Sequence, residues 1–346
     1  MDFNQRANAA TPRLALYGVG RYGQEIARFA VRKGWKIVAA YNRASPKVGQ
    51  DIGRLAGLNR DYGVVVQDCD QADYAGLDAD IGVVTLHDRL AENLPAYKRL
   101  LGAGLNVVCH GTESYYPQIV DQEIARQIDA LAKANGVTFT GTGVWDMSRI
   151  WSALLIAGNC EKIHSLHNSS ITNLSSFTRD IMVWSGVGMA PDEFHEKVAR
   201  QGSAYSGLYK YAPLLVLHAL GYTATNTALR QEPIILEKSF HCDTWGGEIP
   251  KGSCAGMRTV MEITTAEGVT TTANYESRVL CHEGELEHTK WTIRGKPISP
   301  EVVVYRDNGY YMDALCVFNR IKDVIAAPPG LQLLTQLGPM RRVASQ

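Results

Sequence analysis

No run of roughly 18 apolar residues occurs in the 346-residue chain, so the sequence offers no transmembrane helix. It also lacks an excess of either charge: 35 lysines and arginines balance 35 aspartates and glutamates. A nucleic-acid or acidic-membrane partner calls for a basic surplus, and neither partner is expected. Paired-cysteine spacing is missing too. Cys69, Cys109, Cys160, Cys242, Cys254, Cys281 and Cys316 are odd in number and scattered, with no CxxC. That pattern suits reduced thiols in a cytoplasm better than a disulfide framework or a zinc site. "HEGELEH" (His282 to His288) lacks the HExxH zinc spacing and reads as a solvated turn, so no metal is expected. The opening "MDFNQRANAATPR" has no apolar signal-peptide core, and residues 1–12 read as a short disordered arm. Internal repeats and low-complexity linkers are absent.

What is present is an alternation. "RLALYGVG" (Arg13 to Gly20) is apolar and ends in glycines, as a buried parallel strand does. "RYGQEIARFAVRKG" follows with helical spacing through Ile26, Phe29 and Ala30. Further strands are expected at Lys36 to Arg43, Val64 to Val66, Ala79 to Leu86, Leu105 to Cys109 and Val137 to Gly143. A long amphipathic helix is expected from Pro117. Strands and helices in this order imply an α/β fold, a Rossmann doubly wound parallel sheet. In such sheets, ligands bind beyond the carboxyl ends of the strands.

"GVGRYG" puts Gly18, Gly20 and Gly23 at GxGxxG spacing after a strand and before a helix. The first glycine permits the tight turn, the second lets backbone approach a pyrophosphate, and the third lets helix pack on strand. Val19, Arg21 and Tyr22 complete the expected cofactor turn, with backbone N–H groups facing the phosphates. The second strand ends "YNRASPK". Where an NAD site carries an acidic residue, this chain has Asn42, Arg43, Ser45 and Lys47. A guanidinium binds a 2′-phosphate that a carboxylate would repel, so NADP(H) is the expected cofactor, with NAD(H) left as an alternative. Leu86, His87, His110, Gly111 and Thr112, at the ends of later strands, are the remaining cofactor candidates.

"NVVCHGTESYYP" (Asn106 to Pro117) sets Glu113 at the mouth of the fifth strand, on the working edge of the sheet. A carboxylate there can accept N–H bonds, relay protons and stabilise a cation. The bland alternative is a carboxylate at a helix N-terminus. After the sixth strand, "GVWDMSRIW" reads as helix. Trp145 offers an apolar pocket wall, with Thr142 and Asp146 as further substrate candidates, although Asp146 could cap the helix instead. Arg149 and Arg179 are possible carboxylate binders.

The second half changes grammar. Lys162 to Leu174 reads as a strand, and helices are expected near Pro191 to Arg200 and Leu208 to Gly221. "MRTVMEITTAEGVTTTANYESRVL" and "TKWTIRG" alternate like antiparallel strands. A late helix within Gly309 to Leu331 is stopped by Pro328 and Pro329. The expected domains are a Rossmann domain over 13–150, an α+β substrate and dimerisation domain with a largely antiparallel sheet over 151–310, and a C-terminal helix and tail over 311–346 that pack back on the Rossmann domain.

Taken together, "YGVGRYG", "KVGQDIGRLAG", "GTESYYP", "GTGVWD" and "NRIKDVIAAPPGL" resemble the 2,4-diaminopentanoate dehydrogenase-like proteins and the native amine dehydrogenases related to them, within the dihydrodipicolinate reductase-like Rossmann proteins. The likeness runs from about Leu14 to Leu331. It implies a homodimer and a reversible reductive amination of a small ketone or keto compound with ammonia, in which the glutamate matched by Glu113 handles the amine. One departure is Trp145-Asp146, where many relatives read Asn-Pro; this leaves the substrate open. Sugar dehydrogenases with Glu-Lys-Pro after this strand fit less well, because Glu113 is followed by Ser114. The rival readings are an NADPH-dependent reductase of a preformed cyclic imine and a catalytically silent NADP sensor.

Overall fold

Strand β1 (Arg13–Tyr17) is apolar from Leu14 onward because helices cover both faces of its sheet. This computed structural model describes residues 11–200, 206–307 and 309–343. The arm expected over residues 1–12 lies, up to residue 10, outside the described residues. Two compact units form: one runs to Met147 and resumes at Tyr310, and the other is Ser148–Gly309.

The first unit holds a seven-stranded parallel sheet. Its strands are β1, β2 (Lys36–Asn42), β3 (Val66–Asp68), β4 (Ile81–Val84), β5 (Asn106–Cys109), β6 (Thr138–Gly141) and β15 (Gly330–Leu331). Their spatial order is β15-β6-β5-β4-β1-β2-β3, which places the topological switch beside β1. Helix α1 (Arg21–Arg32) and the late helix α6 (Gly309–Ala326) cover one face, burying Ile26, Phe29, Phe318 and Ile321 against Leu14, Leu16 and Val83. On the other face lies α2 (Leu90–Gly102), with Leu100 so close that a Cβ on Gly82 would sit 2.6 Å from its methyl.

Three expectations need correcting here. The helix expected from Pro117 is a single turn, Pro117–Val120, followed by α3 (Gln122–Ala134). Asp121, extended at φ −154°, breaks them apart and caps α3 by accepting from the N–H groups of Glu123 and Ile124. The third strand begins at Val66, two residues later than the apolar run suggests, because it pairs Val66–Asp68 with Ala40–Asn42. The two-residue β15 adds a seventh strand beside β6 that no periodicity announces.

The second unit carries a six-stranded sheet in the order β14-β13-β7-β12-β11-β8: β7 (Lys162–Asn173), β8 (Ala224–Ile235), β11 (Cys254–Thr265), β12 (Thr270–Arg278), β13 (His288–Lys296) and β14 (Glu301–Tyr305). Every pairing is antiparallel except β7 with β12. A separate hairpin joins β9 (Phe240–Cys242) to β10 (Gly247–Ile249). Fully buried Trp291 anchors this unit and donates its indole N–H to the Arg149 carbonyl at 2.7 Å. The helix expected from Pro191 is one α-turn, Pro191–Phe194, that widens into a π-helical turn, and the second expected helix becomes α5 (Tyr211–Ala219) after a 3₁₀ entry. Among the described residues, no helix is long and apolar enough to cross a membrane.

Candidate active site

The glycine turn after β1 has the shape of a dinucleotide cradle. Gly18 has φ +102°, and a Cβ there would lie 2.7 Å from the Thr85 carbonyl and 2.8 Å from a Leu86 methyl. A Cβ on Gly23 would come within 2.0 Å of the Gly18 carbonyl, so helix and strand touch at this point. Around Gly20, by contrast, nothing among the described residues lies within 4 Å of the added carbon. Gly20 is also the N-cap of α1 and brings no side-chain cap, so the first N–H groups of the helix stay open toward that space. A crowded first glycine, an open second and a crowded third fit a pyrophosphate.

The end of β2 is tied into this turn. The Asn42 side chain accepts from the Val19 N–H at 3.3 Å, and its amide donates to the Arg43 carbonyl and to Ser45 Oγ. Ser45 Oγ in turn accepts from the Lys47 N–H. Asn42 and Ser45 therefore hold the loop, leaving the Arg43 side chain exposed. Arg21 lies over the Tyr310 ring at 3.9 Å, and Tyr22 packs between Tyr310 and His110. His87 donates its N–H to Asn93 and sets its ring 3.2 Å from Glu92.

Glu113 sits in a 3₁₀ turn (Thr112–Tyr115) directly after β5 and is only 6% exposed. It does not begin a helix of its own. One carboxylate oxygen accepts from the Leu90 N–H and the other from Arg89, each at 2.8 Å. Since Arg89, the N-cap of α2, brings no side-chain cap, Glu113 caps that helix from 23 residues away. Asp88 fixes the turn by accepting from Thr112 through its side chain and from Glu113 N–H through its carbonyl. Behind it, Ser114, Tyr97 and Cys109 form a buried hydrogen-bonded chain, and a Cβ on Gly141 would lie 1.9 Å from the Ser114 carbonyl. The backbone around Glu113 is thus fixed on every side. A carboxylate offers about four lone-pair directions, so two donors leave room for more.

Next to it, His110 is buried, and its Nε2 has no hydrogen-bond partner among the described residues. Burial pushes its pKa down and favours the neutral ring. An orphaned buried nitrogen between Gly111 and the cofactor turn is a position a bound group would satisfy. Trp145 is half-buried, its ring centroid 6.0 Å from that of Tyr115. Thr142 and Asp146, expected at the substrate, are both completely buried. Asp146 takes two hydrogen bonds from Arg320 of α6, at 2.8 and 2.9 Å, and a third from Thr142 Oγ1 at 2.7 Å. Both of its oxygens are committed there, under the turn that carries Trp145.

Asp313 belongs to none of the motifs, and Arg320, within "NRIKDVIAAPPGL", is not among the site residues expected from them. Their signal in the sequence is two opposite charges seven residues apart, on one face of the late helix. In the second unit, Arg149 is buried over the rings of Tyr209 and Tyr275 and donates to Ser170, whereas Arg179 lies over Trp245. The loop read as a solvated turn is stapled: Glu285 pairs with Arg278 and accepts from the N–H groups of Cys281 and His282. That arginine holds the Glu285 carboxyl down at about 2 and opposes a cation beside Cys281 and His282.

A family model described as the 2,4-diaminopentanoate dehydrogenase C-terminal domain matches residues 151–345, more than half of the chain. The chain belongs to the 2,4-diaminopentanoate dehydrogenase family. The 2,4-diaminopentanoate dehydrogenase of Acetoanaerobium sticklandii is 36% identical over 96 residues, and that alignment covers 27% of this family member and 27% of the curated relative. An amine dehydrogenase structure from Mycobacterium smegmatis matches over 97% of this chain and 99% of its own, at 28% identity and a TM-score of 0.80. A biliverdin reductase from Synechocystis, solved with biliverdin and NADP+, covers 94% of each chain at 13% identity and a TM-score of 0.53, and shares the fold alone.

Proposed function

We propose that this protein is an NADP-dependent amine dehydrogenase. It joins ammonia to a small ketone or keto compound by reversible reductive amination and deaminates the amine in reverse. The observation that carries this reading is a buried, rigidly held carboxylate, Glu113, at the carboxyl end of β5 in a chain with a dinucleotide cradle. The match to an amine dehydrogenase along nearly the whole chain supports it.

Gly20 and the open N–H groups of α1 would hold the pyrophosphate, Arg43 and Lys47 the 2′-phosphate, and His110 Nε2 a polar group of the cofactor. Bound NADPH supplies the hydride. Glu113 takes a proton from bound ammonium, and the freed ammonia attacks the carbonyl carbon while its surplus proton passes to the carbonyl oxygen. Glu113 returns its proton as that hydroxyl departs as water. Its charge then stabilises the cationic iminium. Trp145 forms an apolar wall suited to a small carbonyl compound. Asp146, Thr142 and Arg320 support that wall from beneath. A homodimer and a cytoplasmic location belong to the same proposal.

NADPH oxidation followed over a panel of small ketones and keto acids, with and without ammonium, tests the reading. Turnover that requires ammonium is expected. Equal turnover of cyclic imines without ammonium would point to the imine reductase instead, and no turnover at all to the sensor. Cofactor choice has its own check. Arg43→Ala should weaken NADPH by about tenfold, the lower end for losing a charge-assisted partner because this guanidinium is exposed, and leave NADH nearly unchanged. Equal losses in a binding titration would place the 2′-phosphate elsewhere.

A further inference from the structure

We propose that Asp313 is the positioning residue of the Gly143–Trp145 turn, and that the protonation state of its carboxyl governs how firmly Trp145 is held at the end of β6. Asp313 lies in the second turn of α6, 7% exposed. Its Oδ1 accepts from the Val144 N–H at 2.6 Å. Gly143, at φ +154°, passes so close that a Cβ would stand 2.3 Å from that oxygen and 2.5 Å from the Tyr115 hydroxyl. Tyr115 in turn receives a hydrogen bond from the Trp145 backbone. Three successive residues of one turn are therefore pinned by two side chains that arrive from α6 and from the turn after β5. Only glycine fits between them.

The surroundings make this clamp sensitive to pH. Among the described residues, the Asp88 charge acts on Asp313 from a neighbouring element, and Asp313 in turn acts on Tyr115, Tyr22 and, on its own helix, Cys316; none of these is a cation. Among the described residues, the Val144 N–H is the one hydrogen-bond donor to the carboxyl. Burial pushes the Asp313 pKa up to about 7, with the nearby Asp88 charge adding to the rise and the Val144 bond opposing it. The folded protein therefore favours the neutral acid. That preference stabilises the fold fully at pH values below the ordinary carboxylate range and is lost as pH rises through about 7. Above that, an unpaired buried charge sits under the turn, and admitting water or moving the turn relieves its cost.

The test is a fluorescence titration of the purified protein, with the Trp145→Phe signal subtracted from that of the wild type to isolate Trp145. A single transition centred near pH 7 is expected, and Asp313→Asn, which keeps the acceptor oxygen but cannot ionise, should abolish it. A flat wild-type difference signal between about pH 5 and pH 9 would overturn the proposal without any substitution at position 313. The same transition persisting in Asp313→Asn would overturn it as well. A consequence that rests on the amine dehydrogenase reading is that KM for the carbonyl substrate rises through the same pH range in the wild type and not in Asp313→Asn. Since the fluorescence readout needs no turnover, failure of the clamp is distinguishable from failure of the functional reading.

Discussion

Glu113→Gln is expected to lower ammonium-dependent turnover by at least ~10²-fold, the usual scale for losing a general acid–base group, while NADPH affinity stays unchanged. Glutamine keeps the size and one acceptor oxygen, so the Leu90 N–H retains its cap. What disappears is the charge facing Arg89 and the capacity to take a proton. Because Arg89 is 44% exposed, loss of that ion pair changes stability by only about 0–1 kcal/mol. The decline should fall on kcat, since the transition states flanking a cationic iminium need the carboxylate more than the neutral ketone does. If Glu113 were solely the cap of α2, the variant would turn over at a near-normal rate with a slightly lower melting temperature. Parallel kinetics, cofactor titration and thermal denaturation on one preparation separate the two outcomes.

A second large effect is expected beneath Trp145. Arg320→Met should destabilise the protein by about 3–5 kcal/mol, the usual result of breaking a buried pair. Asp146 and Arg320 are both fully buried, and removing the guanidinium strips Asp146 of two of its three hydrogen bonds and leaves a charge without a cation. Against a total stability of about 5–15 kcal/mol, that is a large fraction. Replacing both partners, as Asp146→Leu with Arg320→Met, should recover much of the loss because the fully buried Asp146 charge goes with its partner and only the partly exposed Asp323 loses its ion pair with Arg320. Denaturant unfolding of the two single variants and the double variant gives the coupling. A double variant less stable than either single one would mean that the pair is not the unit described here.

The parallel sheet was legible because covered strands such as "LNVVC" are apolar without alternation, and because the GxGxxG turn sits between strand and helix. Glu113 could be placed at the sheet's working edge from the same pattern. Its hydrogen-bond partners could not, since the helix it caps starts 23 residues earlier and no local spacing links them. For Asp146 the distance is greater: its partner lies 174 residues away, so a residue read as facing substrate is instead spent on a buried pair. Local chemistry carried the break at Asp121, where an Asp that caps Glu123 and Ile124 interrupts what looks like one long helix from Pro117. Strand β15 was beyond reach because two residues after a Pro-Pro pair have no periodicity; their pairing with Thr138 and Phe139 follows from where α6 ends.

The most direct measurement supplies isotopically labelled ammonium with NADPH and a ketone that the enzyme turns over, and weighs the product by mass spectrometry. An amine dehydrogenase built around Glu113 must place the labelled nitrogen in the product amine, one for each NADPH oxidised, and Glu113→Gln must lose that incorporation in step with turnover. NADPH oxidation that yields an alcohol, or an amine without label, would contradict it.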